Sequence, residues 1–212
     1  MIPPQVIFAL RLNERRTFGN RSPQGIDMSI RVSVIGGAGS WGQHYVNAVV
    51  QHPGCSLVGF VDPCTERRDD LAGYYSIDRR FLFEDLSQQL DRTTPDIACI
   101  AVPTARNPEI VLACLEAGVR VLSCEKPAAV SLAESDRIVE ASTHAGAIIG
   151  VGSLIANHVL RDAERWIAGG GLGTIKQISL PGGLGAHVSG DGAQRLSPIR
   201  VLSGSELRWA EG

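Results

Sequence analysis

Short apolar runs alternate with stretches of helical periodicity from Arg31 onward. Apolar runs of strand length occur near residues 31–35, 56–61, 81–83, 97–102 and 119–123. The stretches between them have the periodicity of helices, which predicts crossover connections between parallel strands, with helices covering both faces of the sheet. The pattern therefore predicts an α/β fold built on a doubly wound parallel sheet.

The predicted helices carry recognisable signals at their ends. Asn107 is expected to cap one helix, with Pro108 at its first helical position. Ser131 and Glu134 have the spacing of a capping box, and Gly146 is expected to end the helix that they begin. These signals place helices between the predicted strands.

The rest of the pattern divides the chain into a complete domain over residues 28–148 and a shorter region over 149–212. The second region predicts a helix near 157–168, a strand near 174–180 and a short helix before Gly204. About 60 residues seldom support an independent core. We therefore expect a partial second α/β domain that docks on the first domain or on a partner.

Residues 1–27 have a different composition, with several prolines, glycines and arginines and one apolar run, from Val6 to Leu10. We interpret this stretch as a disordered leader. Its arginine-rich, acid-poor character weakly resembles a transit peptide. The alternative interpretation is that translation begins at Met28.

Composition narrows the classes of function that the chain can have. Of its 212 residues, 44% are hydrophobic and 20% are charged, and the formal net charge is −2. These values are typical of a soluble globular protein with no basic surplus, so neither a nucleic-acid partner nor a membrane span is expected. The five cysteines contain no CxxC pair, which argues against a disulfide framework or a zinc site and favours the reducing cytoplasm. No metal site is predicted, and Cys99 and Cys124 are expected to be inert core residues.

A glycine motif follows the first predicted strand directly and opens a helix. Gly37 is expected to permit the tight turn, Gly39 to let backbone N–H groups approach a pyrophosphate, and Gly42 to let the helix lie close to the sheet. The motif predicts that six consecutive residues contact a dinucleotide: Gly37, Ala38, Gly39, Ser40, Trp41 and Gly42. A glycine-rich turn that binds nothing is the alternative, because the chain contains 24 glycines.

Asp62 strengthens the prediction of a Rossmann-type site. It follows the second predicted strand 20 residues after Gly42, where a carboxylate can accept both hydrogen bonds of an adenosine ribose. Asp62 also repels a 2′-phosphate, so NAD is the favoured cofactor. Arg67 and Arg68 lie close enough in sequence to keep NADP open.

A charged pair and a proline, Glu125-Lys126-Pro127, follow the fifth predicted strand. In an open α/β sheet the ligand crevice lies beyond the carboxyl ends of the strands, so this segment is expected to face a bound cofactor. Beside a cationic nicotinamide the ammonium form of Lys126 is disfavoured, which would suit Lys126 to accept or donate a proton. The alternative is that Lys126 is an ordinary surface lysine.

Four segments together resemble the glucose-fructose oxidoreductase and inositol dehydrogenase family (Gfo/Idh/MocA). They are the glycine motif, Val61-Asp62-Pro63, Ala101-Val102-Pro103-Thr104 and Glu125-Lys126-Pro127. The resemblance implies a nicotinamide-dependent oxidoreductase that moves a hydride between the cofactor and a sugar, polyol or related hydroxyl compound. It implies that Lys126 is catalytic at the reacting hydroxyl, with a cis Lys126–Pro127 peptide. It also adds cofactor contacts from Val102, Pro103, Glu125, Lys126 and Pro127.

The chain departs from the pattern of this family at several places. Asn107 stands where many members have a histidine, and Gly190 and Gln194 stand where the family has an aspartate and histidine pair. His187 and Asp191 have the same spacing in reverse order and are candidate substitutes. The chain also stops before the large sheet that the resemblance implies for substrate binding and for subunit contacts in a homo-oligomer. A non-catalytic dinucleotide-binding module, or an inactive fragment of such an enzyme, is therefore the alternative hypothesis.

Overall fold

A computed structural model describes residues 29–152, 158–179, 192–206 and 208, so the predicted leader lies outside the described residues. One sheet of six strands runs in the order β3-β2-β1-β4-β5-β6. The strands are β1 (Ile30–Ile35), β2 (Cys55–Val61), β3 (Leu82–Phe83), β4 (Ile97–Ile100), β5 (Val121–Cys124) and β6 (Ile148–Val151). The pairs β1–β2, β1–β4, β2–β3 and β4–β5 are parallel. This strand order is that of the doubly wound Rossmann fold, as predicted.

Within the described residues, five α-helices lie between successive strands and two more follow β6. They are α1 (Gly42–Gln51), α2 (Thr65–Tyr75), α3 (Leu86–Arg92), α4 (Asn107–Glu116), α5 (Leu132–Ala145), α6 (His158–Ala168) and α7 (Ala193–Ser203). One hydrophobic cluster packs α1 and α2 on one side of the sheet, through residues such as Val46 and Leu71. A second cluster contains residues of α3, α4 and α5, including Leu86, Val111 and Ile138. Apolar side chains therefore cover the sheet on both faces, as the alternating pattern requires.

The sixth strand was not predicted from the sequence. The N–H of Ile148 donates to the carbonyl oxygen of Arg120 at 2.8 Å, next to β5 at the edge of the sheet. The run from Ala147 to Val151 is apolar and follows Gly146, so its strand signal was present but short. β6 spans the predicted boundary between residues 148 and 149, and the two compact units of the chain divide after Gly150.

The second unit contains α6 and α7, close to the helices predicted near 157–168 and before Gly204. The strand predicted near 174–180 is wrong over residues 174–179, which have no regular structure. A strand needs hydrogen bonds to a neighbour, and the described residues of this unit offer no strand to pair with it. Local sequence preference alone could not form it.

The helix-end predictions had mixed outcomes. Ser131 caps α5 by accepting a hydrogen bond from the N–H of Glu134, and Gly146 ends the helix in the left-handed conformation, as predicted. Asn107 does not cap α4, because it is itself the first helical residue and its side chain makes no capping hydrogen bond. Its amide is used for contacts with another loop.

Candidate dinucleotide-binding site

The glycine loop, which comprises residues 36–42 from the end of β1 to the first residue of α1, lies where the strand order reverses. β2 and β3 lie on one side of β1, and β4, β5 and β6 lie on the other. A Cβ atom added to Gly36 would lie 2.5 Å from the carbonyl oxygen of Ala101 and 3.1 Å from a methyl group of Val102. The loops that follow β1 and β4 are therefore adjacent, and they border the crevice in which ligands of this fold bind.

Three glycines of the loop are required, each for a different reason. The left-handed residue of the turn is Gly36, at φ +77°, so the tight turn assigned to Gly37 from the sequence lies one residue earlier. A Cβ on Gly37 would lie 2.4 Å from the ring of Phe60, so this glycine instead allows the loop to pack on β2. A Cβ on Gly42 would lie 2.0 Å from the carbonyl oxygen of Gly36, so Gly42 lets the first residue of α1 lie against the backbone of the glycine loop.

Gly39 and its neighbours form the outer side of the loop. The nearest atoms to a Cβ on Gly39 would be the carbonyl oxygens of Gly36, at 3.3 Å, and Ala101, at 3.9 Å. Ser40 and Trp41 are exposed, and the Trp41 side chain is 57% accessible. The loop therefore presents its backbone and an indole ring to solvent at the start of α1.

Asp62 is buried at the end of β2 and orders the backbone around it. One carboxylate oxygen accepts a hydrogen bond from the N–H of Ala38 at 2.9 Å, and the other accepts from the N–H of Cys64 at 2.9 Å. The side chain is thus held against the glycine loop, beside the segment predicted to bind the pyrophosphate. Each carboxylate oxygen retains a further lone pair for a ribose hydroxyl.

The two arginines that kept NADP open occupy different environments. Arg68 is buried on α2, and its guanidinium donates to the carbonyl oxygens of Asp62, at 2.6 Å, and Phe83, at 3.4 Å. The Arg68 guanidinium therefore binds backbone carbonyl groups inside the protein. Arg67 is exposed on the same helix.

A hydrogen bond joins Glu125 to α1, the helix that follows the glycine loop. The hydroxyl of Tyr45, on the first turn of α1, donates to a carboxylate oxygen of Glu125 at 2.9 Å. Burial raises the pKa of Tyr45 to about 12, and the Glu125 carboxylate adds to the rise, while a hydrogen bond with Ser123 opposes it. Tyr45 stays protonated at neutral pH and keeps the hydrogen bond. Sequence reasoning missed this contact because Tyr45 occupies an apolar position of α1.

The peptide between Lys126 and Pro127 is cis, as the resemblance implied. The side-chain amide of Asn107 donates to the carbonyl oxygen of Pro127 at 3.0 Å and to that of Glu125 at 3.4 Å. Asn107 is 1% exposed and lies at the start of α4. A single amide therefore binds the backbone on both sides of Lys126.

Most predicted cofactor-contacting residues lie at the same end of the sheet, directly after the carboxyl ends of β1, β2, β4 and β5. The structure places the glycine loop, Asp62, Val102 and Glu125 next to one another through the contacts above, and Pro103 follows Val102 after β4. Gln194 lies on α7 in the second unit. Gly190 and the candidate substitutes His187 and Asp191 lie outside the described residues.

The cysteines are all free, and burial raises the pKa values of the Cys99, Cys114 and Cys124 thiols to about 12. Those three thiols are therefore protonated and unreactive at neutral pH, as expected for Cys99 and Cys124. Within the described part of the chain, no group of three or more His, Cys, Asp or Glu side chains could hold a metal ion. No helix there is both long and apolar enough to cross a membrane.

Residues 30–153 match the model of the Gfo/Idh/MocA family, described as an oxidoreductase family with an NAD-binding Rossmann fold. The chain belongs to this family. The match covers more than half of the chain and includes every predicted cofactor-contacting residue. It confirms the resemblance and the Rossmann-type interpretation of the first domain.

Several known dehydrogenases are similar to parts of the chain. Inositol 2-dehydrogenase from Rubrobacter xylanophilus is 32% identical over 58% of the chain and 34% of that enzyme. The NAD⁺-dependent scyllo-inositol 2-dehydrogenase of Bacillus subtilis is 28% identical over 70% of the chain and 43% of that enzyme. The WlbA dehydrogenase of Bordetella pertussis, crystallised with NADH and UDP-GlcNAcA, has a TM-score of 0.61 and 25% identity over 69% of the chain and 44% of its own. The chain therefore spans less than half of these relatives.

The residues of the crevice fit a nicotinamide dinucleotide. Gly42 lies where a side chain would collide with the loop, and the backbone at Gly39 is accessible. The Asp62 carboxylate is held beside that backbone by the N–H of Ala38. These features match the roles of the glycines and the acidic residue in this fold.

Proposed function

We propose that the chain is an NAD-dependent oxidoreductase that oxidises or reduces a CH–OH group of a sugar or polyol. The observation that carries the proposal is the hydrogen bond from Tyr45 to Glu125, which brings the Glu-Lys-Pro segment to the helix of the glycine loop. Family membership and the inositol dehydrogenases among the relatives support this reaction class.

The cofactor would be held at two points. The backbone around Gly39 and the start of α1 would bind the pyrophosphate, because helix N-termini present N–H groups and positive potential to anions. The Asp62 carboxylate would accept the hydrogen bonds of the adenosine ribose. The inward position of the Arg68 guanidinium favours NAD over NADP, since this cation binds backbone carbonyl groups.

Lys126 would exchange a proton with the substrate oxygen. When bound, the nicotinamide ring supplies a hydride acceptor or donor. In the oxidation direction the hydride leaves the substrate carbon, and the hydroxyl proton passes to the neutral Lys126 amine. In the reduction direction the Lys126 ammonium returns that proton to the carbonyl oxygen.

Calorimetry with NAD tests the cofactor assignment. We expect saturable binding of NAD to the folded chain, with weaker binding of NADP, because a 2′-phosphate would approach the Asp62 carboxylate. Thermal melts provide a second readout, since a ligand that binds only the folded state raises the midpoint. Absence of both heat and a midpoint shift at millimolar NAD would contradict the assignment.

Turnover tests the reaction. NADH formation is measured by absorbance across a panel of inositols, sugars and sugar acids. Lys126→Ala is expected to lower kcat at least 100-fold while NAD still binds, because general acid–base catalysis contributes roughly 10²- to 10⁴-fold. Lys176→Ala, which alters the other lysine of the chain, is the matched control and is expected to retain activity.

A non-catalytic dinucleotide-binding module is the second candidate. Gln194 favours it, since Gln194 stands at one place of the acid–base pair that the resemblance implies, and an amide cannot act as a general acid or base. This candidate predicts NAD binding without NADH formation from any compound of the panel. We also propose a cytoplasmic location, in keeping with the five free cysteines, and self-association through the C-terminal region.

A further inference from the structure

We infer that Asn107 and Tyr45 are positioning residues that fix Lys126, Asn107 through the backbone and Tyr45 through the neighbouring carboxylate. The expected effect of these two residues on the reaction rate rests on the proposed function. Their expected effect on the position of the Lys126 side chain does not.

Asn107 controls the main chain around Lys126. Its amide donates to the carbonyl oxygens of Glu125 and Pro127, the residues immediately before and after the lysine. The residue is 1% exposed and belongs to α4, whose Ile110 and Val111 are core residues. The Asn107 side chain is therefore anchored in the core, and its one amide nitrogen donates to both carbonyl groups.

Tyr45 fixes the position of the Glu125 carboxylate, which is the charged group next to Lys126 in the chain. Its hydroxyl holds the Glu125 carboxylate toward α1 at 2.9 Å, while the N–H of Glu125 donates to the carbonyl oxygen of Ile100 at 2.8 Å. The backbone and the side chain of Glu125 are thus fixed by two different elements. Without the Tyr45 hydroxyl, this carboxylate would be free to rotate toward other donors, including the adjacent ammonium.

The composition of the chain allows Lys126 to be observed directly. Lys126 and Lys176 are its two lysines, so protein labelled with ¹³C,¹⁵N-lysine gives two sets of side-chain NMR signals. Lys176→Arg assigns the pair by elimination. This readout requires neither substrate nor cofactor.

The test compares four variants with the unaltered chain. Asn107→Ala removes the bridging amide, and Asn107→Asp keeps its size while replacing the donor by an acceptor that faces two carbonyl groups. Tyr45→Phe removes one hydroxyl group, and it keeps the inference testable if the Asn107 variants do not fold. Tyr75→Phe is the matched control, because Tyr75 packs against the same hydrophobic cluster as Tyr45.

We expect the Asn107 variants and Tyr45→Phe to shift the Lys126 Cε signals, while the Lys176 signals stay in place and Tyr75→Phe changes neither. In turnover assays the same variants should lower kcat by about 10- to 100-fold, as small displacements of a catalytic group do, with the Kd for NAD within about threefold of the original. Unchanged Lys126 signals and unchanged kcat in folded Tyr45→Phe and Asn107→Ala would overturn the inference. A parallel loss of NAD affinity and thermal stability would also overturn it, because that result describes a purely structural role. If the Lys126 signals respond but no compound is oxidised, the positioning role stands and the proposed reaction fails.

Discussion

The hydroxyl of Tyr45 donates to the carboxylate of Glu125 across 80 residues of sequence. Tyr45 belongs to the helix that begins at the glycine loop, and Glu125 begins the segment that contains Lys126. The contact links the proposed phosphate-binding loop to the proposed proton-transfer residue through one hydrogen bond to a charged acceptor. Such bonds are stronger than neutral ones, typically by a factor of about two.

The first prediction concerns how the buried Tyr45 hydroxyl ionises in alkali. The pKa of Tyr45 is raised to about 12, chiefly by burial, so one of the three tyrosines should form phenolate only near pH 12 in the folded protein. Because the folded-state pKa lies above the ordinary value of 10.0, the stabilisation is complete below pH 10 and is lost as the pH rises from 10 to about 12. Absorbance at the phenolate band, with circular dichroism to verify folding, measures both effects.

Tyr45→Phe should remove the late ionisation step, whereas Tyr75→Phe should leave it intact. Ionisation of all three tyrosines below pH 11 in folded protein would contradict the prediction.

A second prediction concerns Gly42. Gly42→Ala places a Cβ atom 2.0 Å from the carbonyl oxygen of Gly36, and the contact is with backbone that cannot move away cheaply. We expect a loss of about 2–3 kcal/mol in the free energy of unfolding, in the range for overpacked sites, and weakened NAD binding. Urea denaturation and calorimetry measure the two losses.

Gly73→Ala is the control for that change. Gly73 lies on α2, and a Cβ there would meet nothing within 4 Å. Because alanine restricts the unfolded chain more than glycine does, this variant should gain about 0.5–1 kcal/mol and bind NAD normally. Equal effects at the two glycines would refute the packing argument.

A third prediction concerns Asp62. Asp62→Asn can keep one acceptor oxygen, but its NH₂ group must then face the N–H of Ala38 or Cys64, each of which now donates to the carboxylate. We expect NAD binding to weaken about 10-fold or more, since an acceptor for the ribose and an ordered loop are lost together.

The matched control is Asp78→Asn, because Asp78 is an exposed aspartate whose carboxylate also accepts a backbone hydrogen bond, from Arg80. Its NAD affinity should stay unchanged. Undiminished affinity in Asp62→Asn would show that Asp62 does not contact the cofactor.

A fourth prediction concerns the pair formed by Arg31 and Asp96. The Asp96 carboxylate accepts hydrogen bonds from the Arg31 guanidinium and from the Arg31 backbone N–H, each at 2.8 Å, and these contacts lower the pKa of Asp96. Both side chains are nearly half exposed, so Asp96→Asn should cost only about 1 kcal/mol at pH 7. Because the folded-state pKa is depressed, this difference should persist above pH 4 and disappear as the pH falls below the ordinary value of 3.8. Urea denaturation of both proteins at pH 7 and at several values from pH 5 to 3 measures it, and a difference that grows in acid would contradict the assignment.

Much of the fold could be predicted from local signals. The first five strands and the α5 cap at Ser131 follow from apolar runs and polar end residues, whose preferences act over a few positions. The strand near 174–180 could not be judged in this way, because pairing depends on a neighbour that the local sequence does not specify. The short β6 run was missed because its signal extends over only a few residues.

The candidate site divides in the same way. The glycine motif and Asp62 could be found by spacing, since the physical demands of a phosphate-binding turn restrict residue types at fixed intervals. Glu125-Lys126-Pro127 could be found because it follows the fifth predicted strand and resembles a segment of a known family. The separate roles of Gly36 and Gly37 could not be found so, because they depend on φ angles and on the approach of Phe60.

By itself, the sequence determined the positions of the first five strands, the proposed phosphate-binding turn and the candidate lysine, because each has a signal that lies within a few consecutive residues. Only the tertiary structure decided that Asn107 leaves its expected capping role to hold the backbone around Lys126, and that Tyr45 binds Glu125. Those contacts join residues 18 to 80 positions apart, and such distant partners are chosen by the geometry of the packed sheet and helices.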